Sequence, residues 1–138
     1  MRKISVTGII AEFNPLHKGH EYLITEARKK GQVICVISGN FVQRGDTAIA
    51  EKAVRTEAAL NCGADLVIEL PVWNSVSTAE KFAFTGVHLL NSLGCVDRIY
   101  FGSECGDIVP LKKIANALVN ETEEFRCILK SKMKISQK

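Results

Sequence analysis

No apolar run in these 138 residues approaches the ~18 needed to cross a bilayer as a helix, which excludes a transmembrane helix. Charge of one sign is also scarce. Eighteen Lys and Arg stand against 15 Asp and Glu, a balance of +3 that is too weak to argue for nucleic acid by itself. The five cysteines (Cys35, Cys62, Cys95, Cys105 and Cys127) are odd in number and show no C-x-x-C spacing. Three of them lie in apolar contexts, which predicts free thiols packed as small hydrophobes in a reducing cytoplasm. Met1-Arg2-Lys3 looks like the start of an export signal, but the apolar stretch after it is short and runs into Glu12, Asn14 and His17. No small-residue cleavage site follows, so none is expected. Repeats and low-complexity segments are missing too. What remains is a composition of 46% hydrophobic and 24% charged residues, ordinary for a soluble domain. It excludes a disordered tail, a collagen-like repeat and a coiled-coil rod. The length suits one domain, burying roughly two-thirds of its unfolded surface.

Periodicity gives the architecture. Ile4 to Ile10, Val33 to Ser38, Leu66 to Leu70 and Arg98 to Phe101 are short, β-branched and nearly uncharged, as buried parallel strands are. Between them lie amphipathic segments from about His17 to Lys30, Ile49 to Cys62 and Thr78 to Leu93, closed by Gly31, Gly63 and Gly94. Asp107 or Pro110 opens a further helix running to about Val119. Strand and helix in alternation predict an α/β fold, a Rossmann-like parallel sheet with helices on both faces. Residues 1–120 are expected to form this domain. In residues 121–138, acids at Glu121, Glu123 and Glu124 precede Lys130, Lys132, Lys134 and Lys138, which complements a helix dipole. A basic C-terminal helix over Thr122 to Met133, or a tail, is expected there.

Open α/β sheets bind ligands beyond the carboxyl ends of their strands. There the chain reads Gly-Ile-Ile-Ala-Glu-Phe-Asn-Pro-Leu-His-Lys-Gly-His from Gly8 to His20. Two histidines three apart share one side of a starting helix turn, and Gly19 between them permits close approach of a ligand. A helix N-terminus favours an anion, and imidazoles there can donate to phosphate oxygens. Two other readings stand beside this one. The histidines could be incidental surface residues, or a metal pair. No third ligand follows at suitable spacing, since His88 lies far along in a helical stretch, and no metal site is expected.

This segment resembles the H-x-G-H signature of the nucleotidyltransferase superfamily. Ser38-Gly39-Asn40-Phe41-Val42-Gln43-Arg44-Gly45-Asp46, Glu51-Lys52, Arg55 and Gly63 through Pro71 resemble the tRNA(Met) cytidine acetate ligase family, as do Ala79-Glu80, Phe82-Ala83 and Phe101-Gly102-Ser103-Glu104. The resemblance covers residues 4 to 125. It implies an ATP-dependent acetate ligase that forms acetyl-adenylate, releases pyrophosphate and acetylates the wobble cytidine of elongator tRNA(Met). ATP, with Mg²⁺, and acetate are the implied small molecules; tRNA is the implied partner, and the cytoplasm the implied compartment. By the same resemblance Ile10, Ala11, Glu12, Phe13, Asn14, Pro15, Leu16, His17, Lys18, Gly19, His20, Glu21, Tyr22 and Leu23 bind ATP together with Gly102. His17 and His20 carry the chemistry. No protein nucleophile is required, because acetate itself attacks the α-phosphorus.

Arg44, Lys52 and Arg55 follow the second strand and are candidates to neutralise phosphates of ATP or tRNA, against the alternative of surface charges paired with Glu51 and Glu57. Asn40 and Gln43 are weaker candidates on the same loop. Glu69, Ser103 and Glu104 stand near strand ends, with contact to ligand and local capping both open. Members of the family are much longer, and the asparagine and arginines that complete its ATP site have no counterpart here. The alternatives are a truncated or small nucleotidyltransferase acting on another metabolite, or an inactive nucleotide-binding module.

Overall fold

The computed structural model describes residues 4–120, 122–123 and 125–127, in two compact units that divide after Gly102. In the first unit, β1 (Val6–Ala11), α1 (Lys18–Arg28), β2 (Gln32–Ser38), a 3-10 turn (Gln43–Gly45), α2 (Lys52–Asn61), β3 (Leu66–Leu70), α3 (Val72–Ser75), α4 (Ala79–Ser92) and β4 (Arg98–Ile99) follow in order. The strands form one sheet in the order β3-β2-β1-β4, with every pairing parallel.

Both faces of the sheet are covered, and β2 shows why the strands read as unbroken apolar runs. Val33, Cys35 and Ile37 point into a cluster with Ile9, Phe13, Ile24 and Ala27 of α1, and Ala59 of α2. Ile34 and Val36 point the other way, to Val6, Leu70, and Phe82 and Leu90 of α4. A strand buried on two faces needs apolar side chains at every position. Cys35 is fully enclosed, and burial pushes its thiol up to about 12, with Cys62 adding to the rise. The described cysteines are free.

α4 lies close on β1 because two glycines meet it. A Cβ on Gly86 would stand 2.8 Å from Cγ2 of Ile10, and one on Gly8 2.5 Å from Cδ1 of Leu90. The amino ends of the strands are held by aspartates. Asp97 Oδ2 accepts from Val6 N at 2.9 Å, and Asp65 Oδ2 from Val33 N at 2.8 Å, while also pairing with Arg28.

Several boundaries differ from those predicted. β1 starts at Val6 rather than Ile4, where the Asp97 contacts begin. α2 starts at Lys52 rather than Ile49, because Ile49 N donates to Asn14 Oδ1 at 2.7 Å and Ala50 O accepts from Arg55 Nε at 3.0 Å. β4 is two residues long, although Tyr100 N continues the pairing to Gly8 O at 2.9 Å. The short α3 was not predicted; its Asn74 donates to Thr85 Oγ1 of α4 at 2.8 Å.

The second unit holds α5 (Ile108–Val119), capped by Asp107 Oδ1 accepting from Val109 N at 2.9 Å. Thr122 starts one more helical turn, accepting Phe125 N on its hydroxyl and Arg126 N on its carbonyl. The remainder of the helix expected to Met133 lies outside the described residues, as do Met1 to Lys3. Among the described residues no helix is long and apolar enough to cross a membrane.

Candidate functional site

The strand order places a switch point between β1 and β4. From β1 the chain moves outward through β2 to β3, then returns to set β4 on the other side of β1. Ligands of open α/β sheets bind outside the carboxyl ends of the strands at such a point. The turn at residues 12–17 leaves β1 there, and Gly102 follows β4.

The turn is built from inside. Phe13 adopts φ 50, the left-handed region that bulky residues avoid, and its ring is 0% exposed. That conformation drives the ring into the core, where it meets His20 edge-on at 5.0 Å between centroids. The Asn14–Pro15 peptide is cis. Asn14 Oδ1 takes Ile49 N, and Glu12 Oε1 takes Gln43 N at 2.6 Å. Two side chains of this turn thus tie it to the segment after β2.

The two histidines cap α1 reciprocally. His17 is the N-cap in extended conformation, and its Nδ1 accepts from Gly19 N at 3.1 Å. His20 Nδ1 accepts from His17 N at 3.4 Å. The rings stack at 3.8 Å with 25° between planes. A neutral imidazole that accepts at Nδ1 carries its proton on Nε2. Both histidines therefore hold Nε2–H donors, oriented by the helix they cap. Burial, then the charge of His17, lowers the His20 pKa, which favours the neutral ring. Gly19 has a reason beyond ligand approach: a Cβ there would lie 3.0 Å from Cε1 of His17.

Other sequence candidates sort by exposure. Ile10 turns its side chain to Gly86 of α4, and Leu16 and Leu23 pack against the core, all three half-buried. Pro15, Lys18, Glu21 and Tyr22 are exposed, and Ala11, Glu12 and Asn14 half-buried. A Cβ on Gly102 would meet nothing within 4 Å.

The three cations after β2 take three different places. Arg44 is exposed on the 3-10 turn at φ 71. Lys52 Nζ pairs with Glu69 Oε2 at 2.7 Å, not with Glu51 or Glu57. Arg55 is buried, and its guanidinium bonds to main-chain oxygens. Beside Lys52 and Glu69, a cavity of about 470 Å³ also lined by Ser38 and Val67 opens between α2 and the strands. Asn40 Oδ1 receives Lys52 N at 3.4 Å. Ser103 Oγ accepts from Gly106 N at 3.0 Å in the second unit, closing a local turn. Sequence reasoning did not find the ties made by Glu12 and Asn14. Asn-Pro directly after a strand was the available signal for Asn14, and nothing marked its partner.

The family model described as HIGH Nucleotidyl Transferase matches residues 4–138. The chain belongs to this family. A tRNA(Met) cytidine acetate ligase of Clostridium novyi (strain NT) is 52% identical over 130 residues, covering 92% of this chain and 32% of that protein. One from Clostridium perfringens (strain SM101 / Type A) is 50% identical over 134 residues, covering 95% and 33%. The crystal structure of Thermotoga maritima TmcAL bound with alpha-thio ATP superposes with a TM-score of 0.82 at 41% identity, over 95% of this chain and 32% of that one. This HIGH family chain thus spans about a third of the length of the relatives it matches. Its predicted α/β architecture is borne out.

Proposed function

We propose that the turn after β1 binds ATP, with His17 and His20 donating from Nε2 to phosphate oxygens, and that Gly102 lines the same nucleotide. The observation that carries this reading is the reciprocal imidazole cap, which holds both Nε2–H groups at a helix N-terminus beside the switch point. The relatives' name and the ATP analogue in the Thermotoga structure support the choice of nucleotide and of acetate.

In the reaction, an acetate oxygen bonds to the α-phosphorus as the bond from that phosphorus to the bridging oxygen breaks. Acetyl-adenylate forms and pyrophosphate leaves. Donors fixed in advance stabilise the charge that builds on the leaving group without reorganising. The amine of the wobble cytidine in elongator tRNA(Met) then attacks the acetyl carbon, releasing AMP and a proton. No cluster of three His, Cys, Asp or Glu suited to a metal occurs among the described residues. Mg²⁺ in this reading arrives with ATP, held by the triphosphate and water.

Acetate-dependent exchange of labelled pyrophosphate into ATP tests the reading. His17→Ala and His20→Ala are each expected to lower exchange by about 10²-fold or more. Exchange indifferent to acetate, or to both substitutions, contradicts it.

A further inference from the structure

Arg55, 1% exposed, is the largest fully buried side chain among the described residues. It lies in the first turn of α2, and its guanidinium is spent on oxygens of three separate stretches. Nε donates to Ala50 O at 3.0 Å, ahead of the helix. Nη1 donates to Glu12 O at 2.7 Å, just past β1, and to Ser38 O and Oγ at 3.0 and 3.3 Å, at the end of β2. Nη2 donates to Gly39 O. Burying a cation is costly, and an apolar residue of similar volume would serve plain stability as well. What an apolar residue lacks is a planar fork that holds several carbonyls at fixed mutual positions.

We propose that Arg55 is a positioning residue for the nucleotide site, holding the turn after β1 against the segment after β2 and so fixing the main chain that leads to Phe13 and His17. This rests on the ATP reading above. The Glu12–Gln43 and Asn14–Ile49 bonds run between the same two segments, so Arg55 anchors on its strand side a seam that those two close on its outer side. Without the fork, residues 12–17 lose their fixed origin. Phe13 shifts under His20, and the Nδ1 caps that set both tautomers lengthen. Arg55 acts through main chain and does not touch phosphate.

NMR of the ¹⁵N-labelled full chain tests this, following imidazole and guanidinium nitrogens before and during addition of ATP. In the wild type, the Arg55 side-chain protons are expected to exchange slowly without nucleotide and to shift far less on ATP addition than the histidine Nε2 signals. Arg55→Lys keeps the charge but cannot span the acceptors. It is expected to weaken ATP binding by about tenfold or more and to disperse the Nδ1 acceptor signature of His17 and His20. The proposal is overturned if the wild-type guanidinium rotates freely, if it shifts with ATP as strongly as the histidines, or if Arg55→Lys keeps wild-type affinity and histidine spectra. Should Arg55→Lys not fold, the wild-type guanidinium signals alone decide. Histidines silent to ATP overturn the nucleotide reading alone, because the Arg55 and tautomer signals are read before ATP is added.

Discussion

His20 carries two duties that pull against titration: its Nδ1 accepts from His17 N, and its ring leans on buried Phe13. With its pKa lowered from 6.5 by burial and by His17, the folded state resists the proton that the unfolded chain accepts. The stability contributed by the neutral ring is therefore full above the unfolded value and lost as pH falls through the folded one. The melting temperature is expected to drop as pH is lowered from about 7 to about 5, and to drop less in His20→Gln, where the amide keeps the cap but does not titrate. Parallel pH profiles for the two proteins would contradict this. The histidine pair was legible because its partners lie within one helical turn. Arg55 was not. An arginine at the start of an amphipathic helix reads as a surface charge, and its acceptors at Glu12, Ser38 and Gly39 lie 43, 17 and 16 residues away.

Elements show the same division between local and distant causes. Helices closed by glycine and strands of β-branched residues could be read directly, and each exists near its expected place. Starts and ends moved where a side chain takes up main-chain groups beyond the helix, as Asn14 of the turn after β1 and Arg55 of α2 itself do at residues 49 and 50. The seating of α4 on β1 gives a quantitative expectation. Gly86→Ala gains about 1 kcal/mol of helix propensity but drives a methyl into Ile10, a β-branched side chain on a central strand with little freedom to turn aside. Overpacking of this kind costs about 1–3 kcal/mol, so a net loss of up to about 2 kcal/mol is expected in urea unfolding. Ile10→Val in the same chain should recover part of it. Gly8→Ala is expected to cost at least as much, since its methyl would stand 2.5 Å from Cδ1 of Leu90, a core side chain with no space to move into. A Gly86→Ala protein more stable than wild type would mean that α4 sits farther from the sheet.

At the scale of the whole molecule, the alternation of strands and helices was enough for the fold class, because buried parallel strands differ from amphipathic helices at every position. The strand order was not in the pattern, and it is what brings the turn after β1 and the residues after β4 to neighbouring strand ends. A balance of +3 is modest for a surface that grips RNA; in the proposed reading it suits a site that meets a triphosphate with two imidazole Nε2–H donors. That claim is tested most directly by long-range ¹H–¹⁵N spectra of the His17 and His20 rings with and without ATP. The expected result is a protonated Nε2 and bare Nδ1 in both rings beforehand, with Nε2 shifting and Nδ1 remaining bare at saturation. Protons found on Nδ1, or rings unmoved by saturating ATP, would contradict it.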